Sequence, residues 1–331
     1  MKIFDEIVKE NIDSLIVLNP KNIMYLTGFN PSSSSFLIIK DEPILFTSKM
    51  DFEDASINSE IHVEEFKSLD EIKKHLKGVV GLENSITLGT FKRLKKDTSF
   101  EVKITDAVYR LRQIKSNDEI KNIIKAIDIA ENSIKNVEFD DIKSENEIAA
   151  EIEYTMRLGG SNKAAFDTIV ASGKRSSLPH AVVSNKPVER PIVIDWGAIY
   201  NNYCSDTTRT IIETEKQEEI FDIVLEAQKS AIDVIKPGIK ASYVDKVARD
   251  VIEEYGYGDS FIHSTGHGVG LEVHEGPSLS KNETAKLEKD MVITIEPGIY
   301  LKNEFGIRIE DMVHVGNKGR VLNKIKKKID I

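Results

Sequence analysis

The sequence predicts two mixed α/β domains, at residues 1–108 and 109–331, and three observations support this fold class. The chain has 331 residues, which is long for a single hydrophobic core, so about two domains are expected. Up to Asp106, short apolar runs typical of strands alternate with helical patterns. In the second half, two helical patterns followed by a hairpin with two acidic residues occur twice, which indicates an internal duplication.

The composition excludes several classes of partner. The formal net charge of −10 argues against general binding to nucleic acid or to an anionic membrane. No apolar run reaches the roughly 18 residues that a membrane span requires, and the charged N-terminal segment lacks the apolar core of a signal peptide. Cys204 is the only cysteine, so an intrachain disulfide is impossible. We therefore expect a cytoplasmic protein without nucleic-acid or membrane partners.

Short apolar runs separated by turn residues define the first domain. These runs predict strands at 14–18, 35–39, 44–48, 79–82 and 85–88. A short helical segment is expected before Gly28, where glycine is typical of a helix end.

Helix-start signals organise the second domain. Asn117 opens a long pattern of apolar residues at helical spacing. The capping-box pattern Ser144–Glu147 predicts the start of the next helix. After the first hairpin the same order predicts helices at 217–235 and from Ser242, where Asp245 takes the capping-box position.

The segment 192–210 predicts a hairpin with an aspartate on each arm. β-Branched residues lead up to Asp195, turn residues follow, and a second extended run leaves through Asp206. The chain between the two aspartates would span roughly 36 Å when extended, so their carboxylates can share a site only if it doubles back. Two carboxylates in an apolar setting repel each other unless a cation lies between them. The aspartates are therefore either metal ligands or ordinary turn and cap residues.

A second predicted hairpin supplies another carboxylate pair, Glu296 and Glu310, and His267 lies between the two pairs in the sequence. Gly266 and Gly268 flank this histidine, which argues against a helix and excludes the helical two-histidine zinc motif. Four carboxylates and one imidazole favour Mn²⁺, Co²⁺ or Fe²⁺ over a thiolate zinc site. Their charge exceeds the need of one ion, so two divalent metal ions are expected, manganese or cobalt first and iron or zinc as alternatives.

The motifs around these residues resemble those of the pita-bread metallopeptidases, which include methionine aminopeptidase, aminopeptidase P and prolidase. The shared stretches are Gly-His267-Gly-Val-Gly, His274-Glu-Gly-Pro, Thr-Ile-Glu296-Pro-Gly-Ile-Tyr and Gly-Ile-Arg-Ile-Glu310-Asp, with Asp195 and Asp206 upstream. The resemblance implies an α/β (α+β) architecture with a duplicated C-terminal pita-bread (creatinase/aminopeptidase) fold. Residues 22–29 resemble the smaller N-terminal domain of prolidase, aminopeptidase P and creatinase. That domain favours the proline-specific branch, which cleaves Xaa-Pro bonds.

The resemblance also implies which residues bind the metals. Asp195 would bind one ion, and His267 and Glu296 the other. Asp206 and Glu310 would bridge both ions.

Further roles follow from the same resemblance. Glu296 would also carry a proton from the attacking water, and His263 and His274 would stabilise the oxyanion that forms at the scissile carbonyl. His180 matches a family histidine near the substrate. Arg308 would pair with a ligand carboxylate and hold its geometry.

One position departs from the family pattern. In many prolidases an arginine follows the His-Glu-x-Pro motif and holds the free carboxylate of a dipeptide, but here that place is Ser278. Xaa-Pro dipeptides are the first expected substrates, and longer peptides of the aminopeptidase P type are the alternative. The complete set of five ligands argues against a creatinase-like hydrolase, which works without metal, and against a non-catalytic binding module. The resemblance also implies a homodimer.

Overall fold

The computed structural model describes residues 2–135, 137–139 and 142–329. The chain divides into two compact units, Met1–Arg112 and Gln113–Ile331. The boundary expected from the sequence, between residues 108 and 109, lies slightly earlier and stays a prediction. Among the described residues, no helix is both long enough and apolar enough to cross a membrane.

The first unit is built on a mixed sheet with apolar side chains on both faces. Its strands are β1 (Ser14–Val17), β2 (Ser35–Ile39), β3 (Ile44–Thr47), β4 (His62–Glu65), β5 (Val79–Glu83) and β6 (Glu101–Thr105). The helices are α1 (Ile3–Lys9), α2 (Pro20–Thr27), α3 (Phe52–Asn58), α4 (Leu69–Lys73), α5 (Leu88–Lys95) and α6 (Ala107–Gln113). The strand order is β4-β3-β2-β1-β5-β6. Along β1, Leu15 and Ile16 belong to different apolar clusters, as alternation in a sheet covered on both faces requires.

The strand expected at 85–88 is wrong, whereas the other strands predicted for this unit are confirmed. β5 ends at Glu83, and the Ile86 amide donates to the Glu83 carbonyl in a turn. Thr87 Oγ1 then accepts a hydrogen bond from the Thr90 amide at 3.2 Å and caps α5. The capping side chain decides the structure here, because a short apolar alternation alone does not distinguish a strand from a helix start.

The second unit has two helix pairs, each packed on its own sheet. The helices described in this unit are α7 (Asn117–Ser133), α8 (Glu145–Leu158), α9 (Glu215–Asp233) and α10 (Ala241–Glu254), with short 3-10 segments at Gly173–Ser177 and Gly258–Ser260. The strands are β7 (Ile169–Ser172), β8 (Ile192–Trp196), β9 (Ile199–Tyr200), β10 (Tyr203–Cys204), β11 (Thr207–Ile211), β12 (Gly266–Gly268), β13 (Glu275–Leu279), β14 (Val292–Ile295), β15 (Gly298–Leu301), β16 (Phe305–Arg308), β17 (Asp311–Val315) and β18 (Gly319–Val321). One apolar cluster joins α7 and α8 to β7 and β8, and another joins α9 and α10 to the later strands.

Both carboxylate-bearing hairpins have the same interrupted form, which supports the predicted duplication. In the first, β8 pairs with β11 at the base and β9 with β10 at the tip. In the second, β14 pairs with β17 at the base and β15 with β16 at the tip. The breaks lie between base and tip, where Asp206, Glu296 and Glu310 are found. Backbone that leaves the regular ladder at these points lets the acidic side chains turn toward a common site.

His267 lies in a strand, which agrees with the exclusion of a helix by its flanking glycines. It belongs to β12, which pairs with β13 and β14. A Cβ atom at Gly266 would lie 2.0 Å from the Thr294 carbonyl oxygen, and one at Gly268 would lie 2.1 Å from that of Gly276. Only glycine allows this close approach of the neighbouring backbones, so the glycines fix the position of the histidine between two strands.

The capping box expected at Asp245 is wrong. Helix α10 begins after Lys240, whose side chain makes no capping bond. Asp245 is fully buried and accepts hydrogen bonds from Arg249 and from the amide and hydroxyl of Thr265. The carboxylate therefore binds Thr265, a residue distant in the sequence, instead of capping the helix as the local pattern predicted. The capping box at Ser144 is confirmed.

Candidate metal centre

Asp206, His267 and Glu310 come together in the second unit. One possible ligand atom from each side chain lies within 4.8 Å of the other two. Asp206 and Glu310 immediately precede the return strands β11 and β17, and His267 lies in β12. Three separate strands therefore place these groups, which are the kinds of ligand that a divalent cation takes.

Glu296 joins this cluster through His267. The Nε2 atom of His267 lies 3.3 Å from Glu296 Oε1 and 3.6 Å from Asp206 Oδ2. The hydroxyl of Thr294 donates to Glu296 Oε1 at 3.2 Å. The imidazole therefore faces two acidic groups from different hairpins.

Asp195 is held beside the cluster by Arg308. Arg308 Nη2 donates to Asp195 Oδ2 at 2.8 Å, and Nε donates to the Thr208 hydroxyl at 3.1 Å. Thr208 in turn donates to Glu310 Oε2 at 2.8 Å. One guanidinium thus connects the carboxylates of the two hairpins, directly at Asp195 and through Thr208 at Glu310.

The donor set fits divalent cations. Asp195 Oδ1 and Glu310 Oε1 are buried and have no hydrogen-bond partner among the described residues. Burial raises the pKa of Asp206 well above its usual value, and the nearby carboxylates of Glu310 and Asp195 raise it further. The pKa of Glu310 is also raised well above its usual value, by burial and then by Glu296 and Asp195. Crowded, buried carboxylates with unpaired oxygens are the arrangement that a bound cation stabilises.

The pKa values of Glu296 and His267 shift in directions opposite to those expected from burial alone, because the two groups pair with each other. Burial by itself raises the pKa of Glu296, but the hydrogen bond and charge of His267 outweigh it and lower this pKa to about 2. Burial lowers the pKa of His267, but Glu296 outweighs that effect and the net shift is upward. Both shifts favour a partly buried pair of protonated His267 and ionised Glu296, and His267 would have to lose its proton to become a metal ligand.

His263 is connected to the cluster through Tyr300 and Arg308. Its Nδ1 lies 2.7 Å from the Ser264 carbonyl and its Nε2 lies 2.9 Å from the Tyr300 hydroxyl. That hydroxyl also accepts from Arg308 Nη1 at 2.7 Å. Burial lowers the pKa of His263, so the neutral ring donates to Ser264 and accepts from Tyr300. Both ring nitrogens are engaged in this arrangement, and the predicted contact of His263 with an oxyanion stays a prediction.

His274 and His180 are exposed at the site. The ring of His274 stands edge-on to that of His267, with the centroids 4.4 Å apart. Burial and the charge of His267 lower the pKa of His274. His180 follows Pro179, whose carbonyl accepts from Arg308 Nη1 at 3.3 Å. The loop before His180 is therefore attached to the same guanidinium as Asp195.

Sequence reasoning missed Tyr300. It is buried, and it connects His263 to Arg308. The available signal was its place at the end of the Thr-Ile-Glu-Pro-Gly-Ile-Tyr stretch, close in sequence to Glu296. A tyrosine in an apolar strand is usually a packing residue, so the sequence alone gives no reason to select it.

The chain matches known proteins over nearly its whole length. Residues 121–317 match the model of metallopeptidase family M24, and residues 2–114 match that of the creatinase/prolidase N-terminal domain. The chain is 44% identical to the Xaa-Pro dipeptidase of Pyrococcus horikoshii over 330 residues, which cover 96% of this chain and 94% of that protein.

Solved structures agree with these matches. The fold is similar to the prolidase from Pyrococcus horikoshii OT3, with a TM-score of 0.95, 44% identity and 98% of each chain covered. It is also similar to the X-Pro aminopeptidase from Thermotoga maritima MSB8, with a TM-score of 0.92 and 38% identity over 99% of this chain and 98% of that one. The predicted pita-bread fold and the preceding creatinase-like domain are confirmed. The chain, with its clustered carboxylates and histidine, belongs to metallopeptidase family M24.

Proposed function

We propose that this protein is a metal-dependent Xaa-Pro dipeptidase, a prolidase. The observation that carries the proposal is the buried cluster of Asp206, His267 and Glu310, in a chain that matches prolidases almost from end to end. Family membership makes the protein a hydrolase of the metallopeptidase class. The dipeptide specificity and the metal are the parts that experiment must test.

The proposed ligands follow the sequence prediction. Asp195 would hold one of two divalent cations, and His267 with Glu296 would hold the other. Asp206 and Glu310 would contribute to both. The unpaired buried oxygens of Asp195 and Glu310 support this assignment, because a cation supplies the partner that they lack. Manganese or cobalt is the first choice for so oxygen-rich a donor set.

The proposed chemistry assigns tasks to Glu296, His274 and Arg308. When bound, the cations supply Lewis-acid activation of the water and of the scissile carbonyl. Glu296 would accept the proton of the attacking water at neutral pH and pass it to the leaving imino nitrogen of proline. His274 is neutral at the same pH because its pKa is lowered, so it donates one N–H to the developing oxyanion. Arg308 keeps Asp195 in place during these steps.

Ser278 gives a specific reason to test a second substrate class. It lies directly across from His267 in the β12–β13 pair, so both side chains lie on the same face of the sheet. A hydroxyl at this point offers no charge to a free carboxylate, unlike the arginine that the prolidase pattern places there. The second candidate is therefore an Xaa-Pro aminopeptidase that accepts longer peptides, and the similarity to the Thermotoga enzyme is compatible with it.

A substrate panel tests both candidates. Enzyme reconstituted with Mn²⁺ or Co²⁺ is assayed with Ala-Pro, with Ala-Pro-Gly-Gly, and with Ala-Ala as the control for proline specificity. A dipeptidase hydrolyses Ala-Pro in preference to the tetrapeptide, and an aminopeptidase shows the reverse order. Glu296→Gln removes the proton acceptor and should lower kcat by at least about 100-fold. Hydrolysis of neither proline peptide would refute both candidates.

Metal analysis tests two other hypotheses for a protein of this fold. A creatinase-like hydrolase or a non-catalytic binding module would not need the cations. The reconstituted protein should contain about two ions per chain. A value far below one would favour the creatinase-like hydrolase or the binding module.

We also propose a cytoplasmic homodimer, without nucleic-acid or membrane partners. The net charge of −10 and the single cysteine support this environment. Light scattering of the purified protein should give twice the mass of the chain.

A further inference from the structure

Lys115 and Glu275 form an ion pair in the interior of the second unit. The Nζ of Lys115 lies 3.2 Å from Glu275 Oε2, and each side chain is only 1% exposed. Transferring two charges from water to a protein interior costs free energy, and the attraction between them often does not compensate for this cost. The pair is therefore not explained by a contribution to stability alone.

Glu275 immediately follows His274, and its carboxylate fills the loop that carries this histidine. The amide of Glu272 donates to Glu275 Oε1 at 3.2 Å, and the amide of Gly270 donates to the Glu272 carbonyl at 3.0 Å. A Cβ atom at Gly270 would lie 2.6 Å from Glu275 Oε2. The chain from Gly270 to Glu275 thus wraps around a single carboxylate, and the position of that carboxylate sets the path of the loop.

Lys115 attaches the carboxylate to a fixed part of the unit. Its amide donates to the Asp290 carbonyl at 2.9 Å, and the next residue, Ser116, caps α7. The base of the lysine is therefore held by its own backbone on both sides. Its ammonium group carries that constraint to Glu275 and from there to the loop.

The loop places His274 against the candidate ligand His267. The two rings are in edge-on contact, and His274 is exposed to solvent. An exposed side chain at the end of a glycine-containing loop has few contacts of its own to fix it. The buried carboxylate one residue later is the nearest rigid point.

We propose that Glu275 and Lys115 are positioning residues for His274, which they hold in the orientation needed for transition-state stabilisation. The inference rests on the proposed function in so far as it takes His274 as the oxyanion donor. It assigns the buried pair to the geometry of one side chain rather than to the general stability of the fold.

A double-mutant cycle distinguishes a role in positioning His274 from a contribution to the general stability of the fold. Lys115→Met keeps an unbranched side chain only one heavy atom shorter and removes its charge. It should lower kcat by about tenfold or more, with KM little changed, because a misplaced donor weakens only the transition state. In the His274→Ala background the same substitution should change kcat by less than about twofold, because the group on which it acts is already absent. Equal losses in both backgrounds would overturn the inference.

Amide hydrogen exchange provides a readout that needs no substrate. In Lys115→Met the amides of Gly270 and Glu272 should exchange faster than in the parent protein, since the acceptor in the centre of the loop is no longer held. Unchanged protection of these amides would contradict the proposal, whatever the kinetics. If the parent enzyme hydrolyses no Xaa-Pro peptide, the proposed function fails, and this exchange measurement still decides the inference.

Met156→Ala is the matched control for loss of stability. Met156 is buried in the cluster that joins α8 to β7 and β8, away from the His274 loop. The variant should lower the thermal midpoint and leave kcat and the exchange of Gly270 and Glu272 unchanged. Should Lys115→Met not fold, the double variant Lys115→Met/Glu275→Gln removes both charges and undergoes the same measurements.

Discussion

Arg308 Nη2 donates to Asp195 Oδ2 at 2.8 Å, and the same guanidinium reaches Thr208, Tyr300 and the carbonyl of Pro179. Through these partners it touches both carboxylate hairpins, the His263 side chain and the loop before His180. A planar group with several fixed donors can make these contacts at once, which a lysine cannot. Its shape, as well as its charge, therefore organises the site.

Arg308→Lys should weaken metal binding although it keeps the positive charge. The ammonium can pair with Asp195 but cannot also hold Thr208 and Tyr300, so we expect Mn²⁺ affinity to fall by about 10-fold or more. Titration calorimetry on metal-free protein measures this change. Arg110→Lys, at an exposed ion pair of the first unit, should leave the affinity unaltered. Normal affinity in Arg308→Lys would mean that charge alone is required.

Metal binding should release protons and strengthen as the pH rises. The pKa values of Asp206 and Glu310 are raised in the metal-free fold by burial and by neighbouring carboxylates, so these groups hold protons that a cation must displace. Calorimetry in buffers of different ionisation enthalpy counts the protons released. Glu310→Gln, which has no proton to lose at this position, should release fewer. Equal proton release by both proteins would contradict the assignment.

The same two carboxylates predict how stability without metal depends on pH. Because their folded pKa values are raised, their contribution is fully present below the unfolded value of about 4 and is lost as the pH rises through the folded values. As the pH rises above the unfolded value, the free energy of unfolding should therefore fall more steeply in the parent protein than in Glu310→Gln. Urea unfolding in the presence of a chelator provides the comparison.

Gly306→Ala should disturb the site from the outside of the second hairpin. A Cβ atom at this position would lie 2.2 Å from the Ser176 carbonyl oxygen, in the 3-10 segment that leads to His180. Because the Ser176 carbonyl belongs to the backbone, it cannot shift without disturbing the 3-10 segment. The free energy of unfolding and kcat should therefore both be lower in the variant. Gly89→Ala is the control, because nothing lies within 4 Å of its added Cβ atom. This change in α5 should stabilise the first unit by up to about 1 kcal/mol and leave activity intact.

Ser144→Ala tests a local feature that the sequence alone predicted. Ser144 Oγ accepts from the Glu147 amide at 3.2 Å, and Glu147 Oε2 accepts from the Ser144 amide at 2.8 Å. Loss of the cap should lower the free energy of unfolding by about 1 kcal/mol, measured by urea denaturation. Because the cap lies at the start of α8 and not at the metal centre, kcat should be unchanged. A fall in kcat with unchanged stability would contradict a purely structural role.

Most of the elements near the site could be predicted from local patterns. The β-branched runs around Asp195 and Glu296 predicted strands, and the glycines beside His267 excluded a helix there. These signals are reliable because they depend on backbone conformation, which the residue itself and its neighbours decide. Asp245 and residues 85–88 were predicted wrongly for the complementary reason. The amide and hydroxyl of Thr265 bind the Asp245 carboxylate, and Thr87 caps a helix where a strand was predicted; neither competition is visible in periodicity.

The sequence by itself determined the fold class, the family and the identity of the candidate ligands. Motifs and strand patterns can be recognised in this way because each depends on residues that are close together in the sequence. Tertiary structure alone decided that Tyr300 connects His263 to Arg308 and that Lys115 reaches Glu275 across 160 residues. The physical reason is that such contacts depend on which strands lie side by side. Their energy comes from burial and from charges brought together by the fold, and no neighbour in the sequence carries that information.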